Sequence, residues 1–70
     1  MTEQYLYILP CENVPGMEHH VGMWANQLHD AQPYPPDGPF KTKREALEHG
    51  KEDCRQTGWE PGSYRISVDE

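Results

Sequence analysis

Three features of the 70-residue sequence predict a small α+β domain: alternating residues near both ends, a helix-start signature with apolar residues at helical spacing between them, and seven aromatic rings to build one core. The expected architecture is a small, mostly antiparallel sheet of two or three strands, at about 4–9, 20–26 and 64–68, covered by one main helix at about 42–57. All of it belongs to a single domain, 1–70, because a chain this short buries only about 60% of its unfolded surface and cannot support two cores.

The first strand is read from Gln4 to Leu9, with Leu6 and Ile8 on one side, Tyr5, Tyr7 and Leu9 on the other, and Pro10 as its end. Both sides are apolar, which fits a buried strand; a tyrosine-bearing side left open as a contact surface is the alternative. Residues 17–31 are ambiguous. Met17, Val21, Trp24 and Leu28 follow a helical repeat, so a second helix over 17–31 is one reading. Val21, Met23 and Ala25 also alternate, Gly22 and Asn26 are poor helix residues, and a two-stranded sheet is marginal, so a strand at 20–26 is preferred.

Residues 32–39 hold four of the seven prolines and read as an extended connector ending in a Pro-Asp-Gly-Pro turn, because proline fixes φ and removes a backbone donor. Tyr34 within it is expected to pack on its neighbours and clamp the loop. Thr42-Lys43-Arg44-Glu45 then has the spacing of a capping box, which starts a helix at Thr42. Leu47, Gly50, Cys54 and Thr57 recur on one face, with Ala46 beside them, and Gly50 permits close approach to a strand. Gly58 followed by Trp59 is the combination that closes a helix in a left-handed stop. Glu60-Pro61-Gly62-Ser63 has the residues of a type II turn, and Tyr64, Ile66 and Val68 alternate with Arg65, Ser67 and Asp69 as a final strand.

Composition narrows the function. The longest apolar run, Tyr5 to Leu9, is far below the roughly 20 residues that cross a bilayer, and no basic residue precedes it as in a secretory leader. No membrane association and a cytoplasmic location are therefore expected. Cys11 and Cys54 are read as free thiols in a reducing compartment, with a single bridge as the alternative elsewhere. The net charge is -6 and residues 1–40 contain five carboxylates but no Lys or Arg. That field disfavours duplex DNA and suits a basic protein surface.

Catalytic signatures are weak. No phosphate-cradling glycine motif is present, Ser63 and Ser67 lack a nucleophile-elbow context, and nothing orients His19 or His20 against Cys11. The chain is read as non-enzymatic and without a cofactor. For zinc, Cys11, His20 and Cys54 are the best available ligands, but no two sit at the short spacing that structural sites use, so no metal site is assigned. Lys41, Lys43 and Arg44 with Phe40 are a small footprint for nucleic acid against twelve carboxylates, and that role stays secondary.

The reading that remains is a small acidic protein-interaction or regulatory module. Its contact candidates are the aromatic residues Tyr5, Tyr7, Trp24, Tyr34 and Trp59, as energetic anchors, and the acidic residues Glu12, Glu18 and Asp30, as groups that attract a basic partner. A small zinc-binding or nucleic-acid-associated protein is the alternative, and a sheet edge could pair with a second copy.

Overall fold

The computed structural model describes residues 3–69, and the chain folds as one α-helix on a four-stranded mixed sheet. The strands are β1 (Tyr5–Pro10), β2 (Trp24–His29), β3 (Asp37–Phe40) and β4 (Arg65–Val68), and the helix is α1 (Lys43–Thr57). A single turn of 3-10 helix, Cys11–Asn13, follows β1. The strand order is β3-β2-β1-β4. β1 runs antiparallel to β2 in the register Tyr5↔His29 to Pro10↔Trp24, and parallel to β4 in the register Tyr5↔Arg65 to Ile8↔Val68.

The terminal strands and the helix form where the sequence places them. Thr42 caps α1, its hydroxyl accepting from the Glu45 N–H at 3.1 Å. At the other end Gly58 is left-handed, φ 97°, and the Trp59 N–H reaches the Cys54 carbonyl at 2.9 Å. Arg44–Glu48 and Glu52–Arg55 pair along the exposed side, where such contacts contribute little. Gly50 meets the sheet so closely that a Cβ there would lie 2.7 Å from Leu6 Cδ1 and 3.3 Å from Asn26 Cβ.

Three expectations are corrected. The second strand spans Trp24–His29 rather than 20–26, because residues 14–23 are a chain of turns in which Val14, Met17, His20 and Met23 each bond back three residues. A helix over 17–31 is excluded by the same arrangement: Trp24, Asn26 and Leu28 face α1 while Ala25, Gln27 and His29 face away. The sheet is mixed and has four strands, because the end of the proline-rich segment, Asp37–Phe40, forms β3. Pro39 is tolerated there since β3 is an edge, and a register irregularity opposite Trp24 and Asn26 absorbs the missing donor.

The core lies between α1 and the sheet. Leu6, Ile8 and Leu28 meet Ala46, Cys54 and Trp59, with Tyr34, Phe40, Leu47 and Tyr64 packed around them. A second, smaller cluster lies on the opposite side of the sheet, where the 11–23 loop lays Cys11, Val14 and Met17 over Leu9 and Ala25. Among the described residues, only one end of that second side is covered.

Candidate functional site

Residues paired across a ladder point to the same side of the sheet, so the registers place Tyr5, Tyr7, Gln27, His29, Arg65 and Ser67 together, away from α1. Tyr5 and Tyr7 stack with ring centroids 5.6 Å apart and planes inclined by 18°. Tyr7 meets His29 edge-on at 5.9 Å. Both tyrosines are half-buried and no helix or strand among the described residues crosses them, so they form a shallow aromatic strip. The Tyr5 hydroxyl donates to the Glu3 carboxylate, which raises the Tyr5 pKa and fixes an acidic group at one end of the strip.

The other acidic candidates are tied into turns, Glu12 and Glu18 beyond the Pro10 end of β1 and Asp30 at the same end as Glu3. Glu12 accepts from the Gly22 N–H at 3.3 Å and Glu18 from the Gly16 N–H, and both remain exposed on the loop that covers Leu9 and Ala25. Asp30, next to His29, accepts from the Gln32 N–H at 3.1 Å and the Tyr34 hydroxyl at 2.9 Å, and these two bonds hold its pKa below the usual carboxylate value.

The other aromatic candidates belong to the opposite side. Trp59 is only 8% exposed and is a core residue, not a surface anchor. Tyr34 packs edge-on against it at 5.8 Å, and this contact with the Asp30 bond makes it a clamp on the 30–36 loop. Trp24 is half-buried beside Phe40, with the Lys43 ammonium 4.9 Å from its ring centroid.

The thiols and histidines do not converge. Cys11 and Cys54 are free, fully buried and in different clusters, so neither joins His20 in a metal site. Burial raises both thiol pKa values, the opposite of what a thiolate nucleophile requires. His19 and His20 lie against each other on the loop, ring centroids 3.9 Å apart.

A grouping that sequence reading missed links β3 to α1. Donor atoms of Asp37, His49 and Asp53 lie within 4.8 Å of one another, which is close enough to hold a divalent ion or to share protons. His49 Nδ1 is 3.3 Å from Asp53 Oδ2 and 3.2 Å from the Nδ2 of the buried Asn26. Desolvation and a hydrogen bond with Asp37 push the Asp53 pKa up to about 6, against the lowering effect of His49. The i,i+4 spacing of His49 and Asp53 was a usable signal, but Asp37 joins them only through a strand that the prolines concealed.

Between α1 and β4 runs an open groove of about 540 Å³, floored by Trp59, Tyr64 and Ile66 and rimmed by Glu48, Lys51 and Arg55. No helix among the described residues is long and apolar enough to cross a membrane. No protein-family model matches the chain, and neither comparison with curated proteins nor comparison with solved structures gives a match.

Proposed function

We propose that this chain is a non-catalytic protein-binding module whose contact surface is the uncovered aromatic strip of the sheet, and that its partner presents a basic segment. The observation that carries this reading is the stacked Tyr5–Tyr7 pair extended by His29, on a sheet side that α1 does not cover and the 11–23 loop covers only at one end. Rigid, half-exposed rings supply contact area at small entropic cost, and tyrosine is enriched in binding surfaces for that reason.

Charge argues for the class of partner. The strip carries Arg65 beside Tyr5 but is bordered by Glu3 and Asp30, and Glu12 and Glu18 lie on the loop beyond it, within a segment that has no Lys or Arg before residue 41. A Lys- or Arg-rich segment laid along β1 would stack its cations on the rings and approach carboxylates at both ends.

Titrating the 15N-labelled protein with an arginine-rich peptide tests the reading. Chemical-shift changes concentrated at Tyr5, Tyr7 and His29, weakened by salt and by the triple change Glu12→Lys, Glu18→Lys and Asp30→Lys, are expected. Absence of binding, or changes spread over α1 as strongly as over β1, would overturn it. A photo-cross-linking residue at position 7, compared with one at position 56 on α1, then identifies the cellular partner.

A further inference from the structure

The two edges of the sheet are built differently. β3 has the features that block further pairing: four residues, a proline, an acidic residue and an irregular register with its neighbour. β4 is equally short, but it has no proline, no acidic residue and a regular register with β1. Arg65, Ile66, Ser67 and Val68 are all exposed, and Ile66 and Val68 keep 44% and 45% of their surface in solvent, although they point to the same side as the core residues Leu6 and Ile8.

The hydrogen bonds of β4 define which of its backbone groups are free. The Arg65 N–H donates to the Gln4 carbonyl at 3.0 Å and the Asp69 N–H to the Ile8 carbonyl at 2.8 Å. In a parallel ladder the bonding residues alternate, so Arg65, Ser67 and Asp69 face β1 while the N–H and C=O groups of Ile66 and Val68 point outward. An incoming antiparallel strand must bond to those two residues.

We propose that β4 pairs antiparallel with β4 of a second copy, about a two-fold axis through Ser67, so that the two sheets become one continuous sheet. Outward-facing residues can meet in three short registers: Ile66 opposite Ile66, Val68 opposite Val68, or Ile66 opposite Val68. Only the third also sets Arg65 opposite Asp69 of the partner subunit, and by symmetry it does so twice. It forms two doubly bonded Ile–Val pairs on the helix side and two opposite-charge pairs on the tyrosine side. Neither Arg65 nor Asp69 makes an ion pair within its own chain among the described residues. The second copy is favoured over a foreign strand because this edge carries its own complement, an Arg four residues before an Asp with two β-formers symmetrically between them.

The pairing uses the sheet edge rather than the aromatic strip, so either assignment can fail while the other stands. Sedimentation equilibrium over a concentration series tests it with Arg65→Asp, Asp69→Arg and the double exchange. Wild type is expected to dimerise, each single change to weaken the dimer about tenfold by placing like charges opposite each other, and the double exchange to restore it. Amide exchange gives a readout independent of any variant: protection at Ile66 and Val68 rises with protein concentration, whereas Arg65 and Ser67 are protected at every concentration. A protein that stays monomeric into the millimolar range, a double exchange no tighter than the single changes, or a dimer whose Ile66 and Val68 amides exchange freely would each overturn the proposal.

Discussion

Asn26, fully buried on β2, donates from Nδ2 to the Ala46 carbonyl at 2.9 Å and so ties the centre of the sheet to the first turns of α1. Its Oδ1 has no hydrogen-bond partner among the described residues, and its Nδ2 also lies 3.2 Å from His49 Nδ1. Replacing this neutral amide with a carboxylate, Asn26→Asp, buries an uncompensated charge beside Asp37 and Asp53. A loss of about 3–5 kcal/mol is expected at neutral pH, most of the stability of so small a domain. Urea denaturation followed by circular dichroism measures it, and a loss below about 1 kcal/mol would show that the site is wetter than its burial indicates.

Gly50→Ala gains helix propensity of about 1 kcal/mol but places a methyl 2.7 Å from a fully buried Leu6. Overpacking costs about 1–3 kcal/mol, so net destabilisation is expected. Leu6→Val removes the carbon that is struck. The two changes together should therefore cost less than the sum of the single changes, and strict additivity in the double-mutant cycle would contradict the contact.

The Asp53 carboxyl, raised to about 6 in the folded chain, returns to the ordinary range near 3.8 on unfolding. The folded state therefore binds the proton more tightly. Its contribution to stability is fully present below about pH 4 and is lost as pH rises through about 6. In chelator-treated protein the urea midpoint should fall between about pH 5 and about pH 7, and fall less in Asp53→Asn. The groups facing it are Asp37 from β3 with His49 and Glu52 from α1. An equal pH dependence in both proteins would assign the effect to other groups.

Cys11 and Cys54 are both inaccessible, and burial shifts both thiols upward. Iodoacetamide should alkylate neither at an appreciable rate in native protein at neutral pH and both in denaturant. Fast native labelling of Cys11 with a midpoint below about 8 would reopen thiol chemistry at the end of β1.

Local chemistry made the best-defined elements legible. Thr42 and Glu45 announced the start of α1, Gly58 and Trp59 its end, and the alternation of Leu6 and Ile8 with the tyrosines the two sides of β1. β3 was hidden because proline normally argues against a strand, and only the neighbours of an edge reveal that one ladder is enough. β2 was displaced because Val21 extends the alternation beyond the true start; it lies on a turn and is 72% exposed. The aromatic strip was half visible. Tyr5 and Tyr7 stood out, whereas His29 and Arg65 join them through pairings that spacing alone does not encode.

The parallel ladder between β1 and β4 joins Tyr5 to Arg65, positions about 60 residues apart. That contact closes almost the whole chain, so its loop entropy is met late in folding. On a ribosome, β1 would remain without its outer neighbour until β4 had cleared the exit tunnel, and until then β1 itself would be the open edge of the unfinished sheet.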